Sequence, residues 1–133
     1  MIDHELRMCA YVQLAWLSHQ KRQRLRRDQF FLLAGVEACR AGWPQLGERC
    51  RELLLTSNPH HMASKFSSLA DALRNADFQK LVAQHERHYP SERAEHVLAE
   101  LGIDPRGDQP ERSRGDRMRE LLDEIIISAS SSR

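Results

Sequence analysis

A chain of 133 residues with 41% apolar and 29% charged side chains can bury a real core and has the balance of one soluble globular domain. Its 20 Lys and Arg nearly cancel its 19 Asp and Glu, which excludes a global field steering it to nucleic acid or a membrane. Its longest apolar run, residues 30–36, is far short of the roughly 20 residues a membrane span needs. The charged opening Met1-Ile2-Asp3-His4-Glu5 lacks the pattern of an export signal, so a cytoplasmic protein with no membrane partner is expected.

Strand signals are nearly absent, because apolar–polar alternation nowhere persists between turn residues. Asp3 is a good N-cap for a first helix carrying Leu6, Cys9, Ala10, Trp16 and Leu17. From Met8 to Leu17 only Gln13 is polar, so this helix belongs either at the centre of the core or under another chain. Residues 18–27 turn polar apart from Leu25, and a second helix is predicted from a cap at Asp28 to Ala41. Gly42 stops it, and Pro44 opens a third helix with Leu46, Cys50, Leu53 and Leu54 on one side. Asn58-Pro59 reads as a restart, followed by the helical stripe Met62, Phe66, Leu69, Ala70 and Leu73. Asp77 is the expected cap of a helix whose inner face holds Phe78, Leu81, Val82, His85 and Tyr89. Pro90-Ser91 breaks that helix and starts a short one, which Gly102 ends. Residues 104–115 have no apolar anchor beyond two prolines and read as a flexible linker. Beyond it Met118, Leu121, Leu122, Ile125 and Ile126 make an amphipathic helix capped by Asp116, with a frayed serine-rich tail.

The segment 38–46, Ala-Cys-Arg-Ala-Gly-Trp-Pro-Gln-Leu, returns faintly from Ala72 onward, an offset of 34 residues. That is the length of one helix–turn–helix unit in stacked-helix families. Over residues 28–61 the chain resembles a tetratricopeptide-type unit. Phe31 stands at the early aromatic of its first helix, Ala34-Gly35 at its small pair and Gly42-Trp43-Pro44 at its turn. Gly47 matches a small site on the second helix, and Pro59 the closing proline. Ala38 and Arg51 depart from it where aromatics are usual, and residues 59–93 keep little beyond Pro90. The resemblance implies packed helical hairpins and a concave surface for a peptide or partner helix.

Few residues suggest chemistry. His85 and His88 lie one helical turn apart and are weak metal-ligand candidates, with His60, His61, His96 and Cys50 as further ligand types. His85 shares its phase with Leu81, Val82 and Tyr89, however, and reads as a hydrogen-bonded histidine at the core edge, so neither metal nor cofactor is expected. Cys9, Cys39 and Cys50 form no Cys-x-x-Cys pair and sit on apolar faces, as buried thiols in a reducing compartment would. There is no nucleophile elbow, phosphate-cradling glycine loop or recognisable carboxylate pair, so catalysis is not expected. Lys21 to Arg27 gathers five cations in seven residues. They suit phosphate contacts, or a solvated helix end where cations offset the negative end of the dipole.

The expected fold is all-α, a short α-solenoid or bundle of antiparallel helical hairpins. Residues 1–103 form the helical domain, 104–115 the linker and 116–133 the terminal helix and tail. The expected function is a non-catalytic protein–protein interaction module, an adaptor or scaffold taking a peptide or helix. Phase places Gln29, Glu37, Arg40 and Arg74 along its groove. The stripe Met118, Leu121, Leu122, Ile125 and Ile126 must dock on this chain, on a second copy or on another protein, because so short a helix is marginal alone. The alternative is a small regulator that contacts nucleic acid or another polyanion through Lys21, Arg22, Arg24, Arg26 and Arg27.

Overall fold

The structure, a computed structural model, describes residues 2–105 and 114–131, and in the last helix the side chains of 116–125. Among these residues there is no strand, and the fold is all-α. Its frame is three antiparallel helices, α1 (His4–Gln20), α2 (Arg24–Arg40) and α3 (Pro44–Ser57). α1 starts where the Asp3 side chain accepts the Leu6 N–H at 2.9 Å, satisfying one orphan donor of the first turn. A helix apolar on nearly every side needs cover on every side. This chain supplies it from α2 and from two later helices, α6 (Ser91–Glu100) and α7 (Arg114–Ser131). Met8, Cys9, Ala10 and Ala15 are left with no exposure.

α2 is the inner helix, buried without a break from Phe30 to Ala38. Where it crosses α3 the backbones meet. A Cβ on Gly35 would lie 3.0 Å from the Cys50 Cβ and 3.3 Å from the Gly47 carbonyl, and one on Gly47 would lie 2.6 Å from the Cys39 Sγ. One glycine on each helix thus sets the crossing distance. α2 stops at Gly42, whose φ of 89° suits glycine. The Trp43 N–H returns to the Ala38 carbonyl at 2.8 Å, and Pro44 opens α3.

Two elements differ from expectation. α2 begins at Arg24, not at Asp28. Asp28 is buried one turn inside, where the Ser57 hydroxyl donates to it at 2.7 Å and Arg27 at 3.3 Å. It is an anchor between helices rather than a cap. Periodicity missed the first turn because only Leu25 is apolar there. The stripe from Met62 to Leu73 is no continuous helix either, and no α-helix restarts at Pro59. A 3-10 turn (Met62–Lys65) leads through extended Phe66 to the single turn α4 (Leu69–Ala72). α3 draws this backbone away from helix. Arg51 donates to the carbonyls of Ala63 and Phe66. Glu48, paired with Arg51 at 3.2 Å, accepts the Leu69 N–H. An N–H given to Glu48 is lost to an i→i−4 ladder, and the Arg51 contacts hold the two carbonyls in their non-helical course. The apolar residues still reach the core: Leu69 lies against Gly35, and Phe66 meets Phe78 edge-on at 5.7 Å.

α5 (Ala76–His88) is capped by Asn75, which accepts the Phe78 N–H at 3.0 Å, while Asp77 falls in its first turn. α6 ends at Gly102 (φ 71°), with the Ile103 N–H returning to the Leu98 carbonyl at 2.9 Å. The 34-residue echo therefore falls twice on the same local form, a helix end, a short turn and a helix start. In its second copy the leading helix is only α4.

α7 begins ahead of Asp116, which belongs to its first turn instead of capping it. The helix packs on α1 and α3. Met118, Leu121, Leu122 and Ile125 are buried there. The Trp16 indole N–H donates to Glu124 at 3.1 Å, and Arg49 donates to Asp123 at 2.8 Å. The helix takes in Arg114 and Gly115 of the expected linker and runs through Ser131, so the backbone of the serine-rich tail is helical that far rather than frayed. The rest of the linker beyond Pro105, the last two residues and the side chain of Ile126 lie outside the described residues.

Candidate functional site

α1 and α2 are joined by Lys21, Arg22 and Gln23 alone, which gathers the basic segment at one corner. Arg22 takes a left-handed backbone (φ 59°), uncommon for a non-glycine residue. Lys21, Arg22, Arg24 and Arg26 are exposed and form no ion pair among the described residues. Leu25, between two of them, is 83% exposed. Because α2 starts early, Arg24, Arg26 and Arg27 occupy its first turn, where no acid stands and Gln23 supplies no side-chain cap. This is the positive end of the helix dipole, the opposite of the end expected from the sequence. Cations there are unfavourable by about 0.3–1 kcal/mol each at low salt, and less when screened.

Arg27 differs from its neighbours. Its guanidinium donates to Asp28 and, at 3.2 Å, to His19 Nδ1, and it lies 5.5 Å over the Phe31 ring. It braces the corner instead of presenting a contact. Burial, and then the charge of Arg27, lower the His19 pKa, in keeping with a neutral ring that accepts a hydrogen bond.

The expected groove residues are not brought together. Gln29 on α2 and Arg74 in the turn before α5 are exposed. Glu37, by contrast, is only 2% exposed. It receives His4 Nδ1–H at 2.6 Å and Arg40 at 2.8 Å, and Arg40 reaches on to Glu86 at 3.5 Å. Glu37 and Arg40 thus tie helices together rather than line a groove. Periodicity assigns a residue to a face but not to a partner. Met118, Leu121, Leu122 and Ile125 are likewise occupied against α1 and α3, so they offer no free surface here.

Beside this network lies a pocket of about 160 Å³ between α1, α2, α5 and α6. Arg7 and Tyr11 line it from α1, Glu37 from α2, Glu86 from α5, and Pro90, Ser91 and Glu92 from the start of α6. The Tyr11 hydroxyl donates to the Tyr89 carbonyl at 2.8 Å. Burial, and then the charges of Glu37 and Glu86, push its pKa up. Ser91 is 8% exposed, and its hydroxyl has no hydrogen-bond partner among the described residues. Sequence reasoning missed this pocket. Its only traces were a glutamate closing an apolar run and a serine behind a helix-breaking proline.

His85 is half-buried, and burial followed by His88 lowers its pKa, while His88 is exposed. His61 Nδ1 accepts the Ala63 N–H at 3.0 Å, and His96 pairs with Glu100 at 3.0 Å. Among the described residues no three His, Cys, Asp or Glu side chains are grouped to hold a metal. Burial pushes the Cys39 thiol up to about 11 and Cys50 to about 12, so both stay protonated and unreactive at neutral pH. No helix among the described residues is long and apolar enough to cross a membrane. No protein-family model, curated protein or solved structure matches this chain.

Proposed function

We propose that this protein is a non-catalytic interaction module whose working surface is the α1–α2 corner, and that the corner takes the phosphate backbone of a nucleic acid. One observation carries this reading. Lys21, Arg22, Arg24 and Arg26 crowd together, exposed, where α1 ends and α2 begins, and the dipole of α2 adds to the charge of Arg24 and Arg26. Crowded like charges repel one another, and local rules are broken in this way where function demands it. The hydrogen bonds linking Arg27, Asp28 and Ser57 hold the corner in place behind them. No aromatic side chain stands within residues 21–27 to stack on bases. The contact is therefore electrostatic and indifferent to base sequence.

A second reading, a protein-binding adaptor, draws on the close α2–α3 crossing at Gly35 and Gly47. Small residues at that crossing are a feature of the tetratricopeptide-type hairpin the chain resembles. Salt separates the two. Fluorescence anisotropy with labelled oligonucleotides, run from roughly 50 to 200 mM salt, should give a log–log slope of about −3 for four phosphate contacts. Combining Lys21→Gln, Arg22→Gln, Arg24→Gln and Arg26→Gln should abolish binding. Absence of binding at low salt, or binding that the variant retains, removes the nucleic-acid reading. Capture of a peptide or helix that is indifferent to salt supports the adaptor.

A further inference from the structure

We infer that the pocket between α1, α2, α5 and α6 binds a primary ammonium group. At about 160 Å³ it is smaller than the roughly 300–1,000 Å³ of sites for drug-sized ligands, so it suits a head group rather than a whole cofactor. Its charge selects a cation. Glu37, Glu86 and Glu92 face two guanidiniums, Arg7 on the wall and Arg40 behind it, with His4 bonded to the far side of Glu37. With the His4 ring neutral, one carboxylate is left in excess of the two guanidiniums. Burial chiefly raises the pKa of the Tyr11 hydroxyl, and Glu37, Glu86 and Glu92 add to that rise while Arg7 opposes it.

The second, independent pointer is Ser91. Its residue is more than nine-tenths buried on the pocket wall, and its hydroxyl has no hydrogen-bond partner among the described residues. A buried polar group without a partner is unfavourable unless a ligand completes it. An ammonium offers three donors to carboxylate and hydroxyl oxygens, and here Glu86, Glu92 and Ser91 supply acceptors of both kinds. A quaternary ammonium has no donor and would leave Ser91 as it is. The described carboxylates are not grouped to hold a metal ion. This inference stands apart from the basic corner, and neither depends on the other.

NMR of the 15N-labelled full chain, titrated with n-butylammonium chloride at constant ionic strength, tests it. Saturating shifts at the Tyr11, Ser91 and Glu92 amides are expected, with none from n-butanol or tetramethylammonium chloride. Ser91→Ala gives a signature in two directions. It should raise the thermal midpoint, because an unsatisfied hydroxyl is removed, yet weaken n-butylammonium binding about threefold. Glu86→Gln should weaken it about tenfold, as the loss of a charge-assisted bond does. Shifts that never saturate, shifts matched by n-butanol, or binding unchanged in Ser91→Ala overturn the assignment. The peptide acetyl-Ala-Lys-Ala-amide and 1,4-diaminobutane then separate a partner's lysine from a free amine. Whichever saturates at the lower concentration names the source, and failure of both overturns the site.

Discussion

At the closed end of the α1–α2 hairpin four cations stand exposed, without an ion-pair partner among the described residues. Toward its open end three glutamates are drawn together with Arg7, Arg40 and His4. Arg24 and Glu37 stand thirteen positions apart on α2, about 20 Å of helix. At the acidic end opposite charges were brought in and partly buried, so the charge there builds the fold. At the basic end like charges were left together in water, so the charge there does not. The net charge of +1 is a balance over the whole chain and describes neither end.

The acidic end should break hardest. Glu37→Ala removes a buried carboxylate and strips His4 and Arg40 of their shared partner. About 3 kcal/mol should be lost in urea unfolding, the low end for a broken buried pair because Arg40 keeps Glu86. An unchanged midpoint would reduce the network to decoration. The scaffold between the ends comes next. Gly35→Ala gains up to about 1 kcal/mol in an ordinary helix interior. Here it should instead cost about 1–2 kcal/mol net, since the added Cβ meets Cys50 and the Gly47 carbonyl. A stabilised variant would disprove the close crossing.

Acid should act more weakly and across the molecule. His19, His61 and His85 are all held below their ordinary value of 6.5, chiefly by burial. The folded chain therefore binds fewer protons than the unfolded one. The stability this represents is complete above pH 6.5 and is lost as pH falls through 6.5 toward the lower folded values. Thermal melts on both sides of that pH should show the midpoint falling with acid, and a rise would contradict the burial of these rings. The smallest effect belongs to the basic end. Arg24→Glu places an anion in the first turn of α2 and should stabilise by about 0.5 kcal/mol at low salt, fading as salt is added. The same change should weaken oligonucleotide binding, so stability and affinity move apart.

Punctuation by glycine and proline was legible in the sequence. Gly42, Pro44, Pro90 and Gly102 act on their own turn, through a positive φ or a missing N–H. The need to cover α1 on every side was legible too, though not that α7 would provide part of the cover. What depended on a distant partner was hidden. Asp28 and Glu37 look like surface residues until Ser57 and His4 arrive from other helices. Residues 62–73 look helical until Arg51 and Glu48 claim their backbone. The basic run was plain to see, but a helix start misplaced from Arg24 to Asp28 inverted the relation of Arg24, Arg26 and Arg27 to the dipole. Lys21 keeps the expected one at the end of α1. The pocket needs four helices to converge, and no local pattern encodes that.

The bond between Trp16 and Glu124 spans 108 residues, whereas α1 and α2 meet across a three-residue turn. Contacts of such different span form at different times, because closing a long loop is entropically opposed until a surface exists to receive it. α7 lands on α1 and α3, so the clasp is expected to form after they have packed. The chain carries two tryptophans, and they time different events. Trp43, at the α2–α3 turn, follows the early hairpins. Trp16, whose indole N–H exchanges water for a carboxylate when α7 arrives, should report the docking of α7 by its fluorescence.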